Sequence, residues 1–341
     1  MARLYAGPAS RAIRSALLCV VLTACASSTD NGPAWRVVLE HQPSGLVSVA
    51  GSSARDVWVC GSDSGDGPAV LHWDGGSWSR MTTGTRGDLW WVHVFGPGRA
   101  LFGGAQGHIV SYADGSFTAE ATPGARTVYG VWGTTPSDAW AVGGNPDDQT
   151  GFVWRNVSGT WTSVALPDGL ASKVAFYKVF GFAADDVYLV GTGGTLLHFD
   201  GASFTALNTT PAWTTSEKPL FTAHGAGGRI AAVGGFAGGL LLEYDAGTLT
   251  NASPRGLMGL SGVFLTGRDS GWAVGQKLTV LERNTSGWQR VDTGHVRSED
   301  LHAVWADPDG GVWAVGGDIQ SLPMSDGLLL HYGATAPRGL E

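Results

Sequence analysis

Charge is scarce in this chain. Only 15% of its 341 residues are Asp, Glu, Lys or Arg, against roughly 25% in an average soluble domain, and lysine occurs just four times, at Lys173, Lys178, Lys218 and Lys277. The balance is acidic, at −8, so the basic footprint that a nucleic-acid binder needs to displace counterions from phosphate is missing. Cysteine is rarer still, with only Cys19, Cys25 and Cys60. Long amphipathic helical patterns and long apolar runs are also lacking, which excludes a helical solenoid and an ordinary membrane-spanning helix. The scarcity of charge does not mean disorder, because 43% of residues are hydrophobic and 10% aromatic. Glycine (53) and tryptophan (15) are abundant instead. With no Gly-X-Y period to signal collagen, that pairing points to many short strands joined by tight turns.

The first residues read as an address. Arg3, Arg11 and Arg14 precede the apolar run Ala16 to Thr23, which closes on Leu22-Thr23-Ala24-Cys25. A basic start, a short apolar stretch and a small residue before the cut mark a secretory signal peptide. The four closing residues resemble the lipobox of bacterial lipoproteins. That resemblance implies removal of residues 1–24 and attachment of a diacylglycerol thioether to Cys25, with several acyl chains together holding the chain to a bilayer. By the same resemblance, Ala26, where an Asp would favour inner-membrane retention, leaves outer-membrane sorting open, and the outer membrane is the expected location. Residues 25–33 then form a flexible tether. Losing three arginines and no acid takes the formal charge to −11. Cys60 is then the one cysteine left for the domain, so no intrachain disulfide is expected.

Internal repetition decides the fold. DVWVCG (56–61), DAWAVGG (138–144), DVYLVG (186–191), GWAVG (271–275) and GVWAVGG (311–317) are copies of one strand, and RALFGG (99–104) and RIAAVGG (229–235) are weaker copies. Taking the glycines at 61, 103, 143, 191, 234, 275 and 316 as equivalent gives steps of 42, 40, 48, 43, 41 and 41. Each unit reads as an apolar first strand, a polar turn, this second strand, a variable loop, a third strand such as TLLHFDG (195–201), a tight turn and a fourth strand such as GWQRV (287–291). Four short strands in about 42 residues, seven times over, predict an all-β fold: a seven-bladed β-propeller of four-stranded blades over residues 34–333, with 334–341 as a tail. The seventh unit stops after its third strand. Trp35 to Ala50, Phe117 to Trp132 and Leu249 to Phe264 are all 15 residues apart, so the strand around Trp35 is expected to complete the last blade and close the ring.

The spacing of Gly143, Gly144, Trp154 and Trp161 resembles the kelch repeat. The V-W-G, D-x-W-A-V-G and H-W-D-G-x-x-W segments are similar to the sialidase-type and photosystem-assembly-factor propeller repeats of secreted bacterial lipoproteins. The resemblance implies the fold and leaves activity open. It is inexact: the Asp-box places Trp five residues after its Asp, whereas Asp74 and Trp78 are four apart.

No catalytic, metal or cofactor constellation emerges. His72, His198 and His331 share one repeat position on separate blades and so cannot converge on one ion. His93, His224 and His302 lie on first strands around the axis, where a shared metal is disfavoured by their different heights. Cys60 occupies a position held elsewhere by Val and reads as an apolar substitute. Asp56, Asp138, Asp186 and Asp269 recur at turns and read as turn caps, and Arg55, Arg99, Arg229 and Arg268 beside them read as surface residues.

Loop length varies mainly on one face, formed by the connections from second to third strand and from blade to blade, and loops on a rigid scaffold are where binding usually resides. The candidate binding rim there comprises Asp63, Asp66, Asp147, Asp148, Asp318 and Asp326, with Trp213 in a long inter-blade connection. The expectation is a monomeric, non-catalytic binding or assembly scaffold of the bacterial cell envelope. It would take an envelope protein or glycan on the loop-rich face and the membrane through Cys25, with no nucleic acid and no cofactor. The alternative is a carbohydrate-active enzyme, a glycoside hydrolase or lyase, which needs two carboxylates within about 5 to 10 Å of each other on that face.

Overall fold

The second strands explain the architecture. Along Asp56–Asp63, Val57 and Val59 pack with Trp305, Trp313 and Leu329 of the last blade, while Trp58 and Cys60 pack with Val92 and Phe102 of the next one. In the third blade, Ala139 and Ala141 join Leu101 on one side, and Trp140 and Val142 join Phe176 and Leu189 on the other. A strand apolar at every position must be covered on both faces, and sheets stacked around an axis satisfy that for every blade at once.

A computed structural model describes residues 32–168, 170, 173–208, 218–335 and 337–340. They form seven four-stranded antiparallel sheets, each in the strand order one to four. The first strands are Leu46–Ser53, Leu89–Gly96, Val128–Thr135, Phe176–Ala183, Leu220–Ala226, Leu260–Gly267 and Asp300–Ala306. The N-terminal strand Ala34–Gln42 pairs with Ser325–Gly333, placing Trp35 opposite Tyr332 and Arg36 opposite His331, and so completes the seventh blade as expected.

Pairing corrects one register. Leu46 faces Gly61, Val128 faces Gly143 and Phe176 faces Gly191, but Leu89 faces Gly104 rather than Gly103. The equivalent glycine of the second blade is therefore Gly104, and the first two steps become 43 and 39. A doubled glycine offers two frames, and only strand pairing chooses between them.

The recurrent aspartates do more than cap turns. Asp56 accepts hydrogen bonds from the Trp58 indole (3.0 Å) and His72 (2.8 Å), whose ring stacks on Trp58 at 4.0 Å. Asp186 and His198 repeat the arrangement against Tyr188, and Arg155 takes the histidine's place over Trp140 while pairing with Asp138 at 3.2 Å. His72 and His198 are thus structural. Arg229 and Arg268 are likewise committed, to a network with Glu243, Asp245, Asp269 and Arg283 between the fifth and sixth blades, rather than free on the surface.

First strands interlock through glycine. A Cβ on Gly51 would lie 2.7 Å from the Trp305 ring, and one on Gly181 would lie 2.5 Å from Trp132 and 2.9 Å from the Asp186 carbonyl oxygen. Gly181→Val is expected to destabilise the fold by about 1–3 kcal/mol through overpacking. Gly76→Ala, whose Cβ meets nothing closer than 3.4 Å, should stay within about 1 kcal/mol of wild type. Urea-unfolding midpoints read both, and equal midpoints for the two variants would refute the interlock.

Candidate binding face

The loop-rich face carries the rim acids, but the structure does not gather them into one cluster. Asp63 is half-buried and holds two connections together: its carboxylate accepts the backbone N–H groups of Gly65, Gly67 and Gly87, while its own N–H donates to Asp88. Burial pushes its pKa up, but the bonds from Gly87, Gly65 and Gly67 outweigh that and leave it lowered. Asp66 is exposed in a groove with Arg80 and Arg86. Asp147 and Asp148 are exposed on the third blade, where Asp148 accepts bonds from the Thr150 N–H and hydroxyl. On the seventh blade Asp318 is exposed and Asp326 pairs with His41 at 2.8 Å. Trp213 and Cys25 lie outside the described residues. Among the described residues no group of three or more His, Cys, Asp or Glu side chains could hold a metal ion.

A feature that sequence reading missed stands at the mouth of the axis on this face. Each first strand opens with a β-bulge: the register shifts between Leu46 and Ser48, Leu89 and Trp91, Val128 and Gly130, Phe176 and Lys178, Leu220 and Thr222, Leu260 and Gly262, and Leu301 and Ala303. A bulge leaves one residue out of the ladder and re-aims its side chain. In blades two to five that residue is aromatic. Trp90, Tyr129, Tyr177 and Phe221 follow one another with ring centroids 5.3, 5.7 and 5.4 Å apart. Phe236, 60% exposed, extends the row 5.0 Å from Phe221, and His302 lies 6.4 Å from Trp90. The sequence signal was the recurrent aromatic at the second residue of four consecutive first strands, hidden because strict alternation fails at a bulge.

The collar is joined to the rim and to a buried charge. Burial and the negative charge of Asp147 raise the pKa of Tyr129, and burial, Tyr129 and Asp147 push Tyr177 up to about 12, so both phenols stay protonated donors at neutral pH. Lys178, only 4% exposed, donates to the Tyr129 carbonyl at 2.7 Å and sits 4.3 Å from the centre of the Trp91 ring. Burial pushes its pKa down to about 7. This face therefore offers a polar, acidic rim around a half-buried aromatic centre. That is the usual anatomy of a protein-binding patch, where aromatic anchors sit inside a polar ring.

No family model matches the chain, and no curated protein matches it in sequence. Its fold is similar to solved structures. Over 88% of this chain and 99% of the other, it resembles YCF48 bound to D1 peptide (TM-score 0.64, 16% identity) and virginiamycin B lyase from Staphylococcus aureus (TM-score 0.66, 12% identity). It also resembles the extracellular domain of the hybrid two-component system BT4673 from B. thetaiotaomicron (TM-score 0.61, 13% identity), matching over 87% of this chain and spanning 39% of that one. At such identities the likeness is one of fold, and propellers serve both binding and catalysis.

The lowered pKa of Asp63 predicts a pH signature. A carboxylate whose folded pKa is depressed adds stability above its unfolded value, near 3.9, and that stability is lost as pH falls through the folded value. Asp63→Asn should cost about 1 kcal/mol at pH 7, after allowance for solvent screening, and converge with wild type once the pH has fallen through the lowered folded value. Urea titrations above and below that value check this, and a cost that does not change with pH would contradict it.

Proposed function

We propose that this protein is a lipid-anchored, non-catalytic scaffold of the bacterial cell envelope that captures a protein partner on its loop-rich face. The observation that carries this reading is the aromatic collar of Trp90, Tyr129, Tyr177 and Phe221 at the centre of the variable face. Tyrosine and tryptophan are the residue types enriched where interfaces concentrate their energy, and here a rigid strand positions each ring. The rim supports binding more than glycoside cleavage. Asp63, Asp148 and Asp326 are each committed to local partners on separate blades, whereas cleavage needs two carboxylates facing one bond. The similar structure of YCF48 is, by its description, bound to D1 peptide, in line with a protein ligand here. Anchoring rests on the lipobox-like Leu22-Thr23-Ala24-Cys25, and Ala26 favours the outer membrane.

Two measurements test the reading. Affinity capture from envelope extracts with the anchored wild type should return a protein that Tyr129→Ala/Tyr177→Ala recovers at least tenfold less, while Arg99→Ala, on the opposite face, recovers it normally. Undiminished recovery by the collar variant would refute capture at the collar. Cys25→Ser should abolish labelling by radioactive palmitate and move the protein from the membrane to the soluble fraction; retained labelling would refute the anchor.

A further inference from the structure

The axis holds a second site, independent of the collar. Four residues beyond the start of each first-strand ladder, the seven blades present Ala50, His93, Trp132, Phe180, His224, Phe264 and Trp305, as their pairing with Trp58, Leu101, Trp140, Tyr188, Ala231, Trp272 and Trp313 shows. Six of the seven are rings, and Ala50 is the gap; His93 and His224, expected at different heights, stand at the same one, because the second blade's frame is set by Gly104 rather than Gly103. Together with Trp91, Thr222 and neighbouring valines they line a cavity of about 210 Å³. A cavity of roughly 150 Å³ with apolar walls holds benzene, so this one has room for a single aromatic ring with a few substituent atoms.

Its two imidazoles have fixed and opposite roles. His93 Nε2 is 3.0 Å from the Gly133 carbonyl oxygen, which can only accept, so Nε2 carries the proton and Nδ1 is a bare acceptor. His224 Nδ1 accepts the Leu265 N–H at 3.1 Å, which leaves the proton on Nε2, a donor. Burial pushes His93 down to about 4, and burial and the nearby His93 push His224 down to about 3, so both rings are neutral at physiological pH. This polarity fits a metal poorly, because a protonated His224 Nε2 offers no lone pair. It also fits an ion poorly: no charged side chain lines the wall, and an unpaired charge buried there is costly.

We propose that the axial cavity binds a small, uncharged aromatic compound that carries both a hydrogen-bond donor and an acceptor, of the phenol or hydroxylated heteroaromatic class. The ring stacks among Trp91, Trp132, Phe180, Phe264 and Trp305, its donor meets His93 Nδ1, and its acceptor meets His224 Nε2. Aromatic walls with a few placed polar groups are the usual make-up of a small-ligand site. Ala50 creates the room, since each of the other six blades puts an aromatic or imidazole ring at this position.

Calorimetry and tryptophan fluorescence with phenol, toluene, benzoate and benzylamine as probes test the proposal on the full chain. Phenol should bind saturably, and the other three at least tenfold more weakly. Ala50→Phe, which gives the first blade the kind of residue its neighbours carry, should abolish phenol binding with circular dichroism and unfolding midpoint retained. His93→Phe should weaken phenol about tenfold, the equivalent of one lost hydrogen bond. Should Ala50→Phe fail to fold, the discrimination among probes by the wild type decides. Absence of saturable phenol binding, equal binding of benzoate or benzylamine, or undiminished binding to folded Ala50→Phe would each overturn the assignment.

Discussion

Burial of the second strands on both faces is the constraint on which the structure depends. A strand such as DVWVCG or DAWAVGG has no face to give to water, so no single blade can satisfy itself, and each must lie between two others. That requirement turns a repeat into a ring. It also explains the composition: side chains packed face to face between sheets leave little surface for charge, and glycine appears where a neighbour's ring approaches the backbone, as Trp132 does at Gly181. The charged residues that do enter the inter-blade space come with partners, as Arg283 does with Glu243.

The same packing divides the molecule into a part that is fixed and a part that can vary. The Asp–aromatic–His unit of Asp56, Trp58 and His72 ties the second and third strands of one blade together at the short-turn side, so length changes are absorbed by the opposite loops. Function gathers there and along the axis, where seven first strands come close enough for single side chains to meet across blades. Both candidate sites, the collar and the axial cavity, are built mainly from first-strand residues rather than from loops, and their geometry is correspondingly rigid.

Fold was legible in the sequence to an unusual degree because repetition supplies seven readings of the same unit: a weak copy such as RIAAVGG is interpretable beside DAWAVGG. The 15-residue spacing from Trp35 to Ala50 even disclosed which blade the first strand completes. What repetition could not settle was a frame, at the Gly103-Gly104 pair, where two readings fit equally until Leu89 was seen opposite Gly104. Site residues were less legible. Loop acids such as Asp63 and Asp148 stood out by composition, yet the structure gives them backbone partners, which a sequence does not reveal. The collar escaped because Trp90, Tyr129 and Tyr177 sit at bulges, where the two-residue period of a strand breaks and a side chain's direction no longer follows from its parity.

The pairing of Ala34–Gln42 with Ser325–Gly333 gives the chain an order of events as well as a shape. The first strand of the domain to be synthesised is the last to find its place, since its partner is encoded nearly 300 residues later. Until then six complete sheets can stack, but the stack has two open ends, one of them an unpaired edge. A chain-end clasp therefore exposes truncation: a shortened product lacks the final partner and keeps a free strand at one end and an uncovered blade at the other, the kind of edge that invites aggregation.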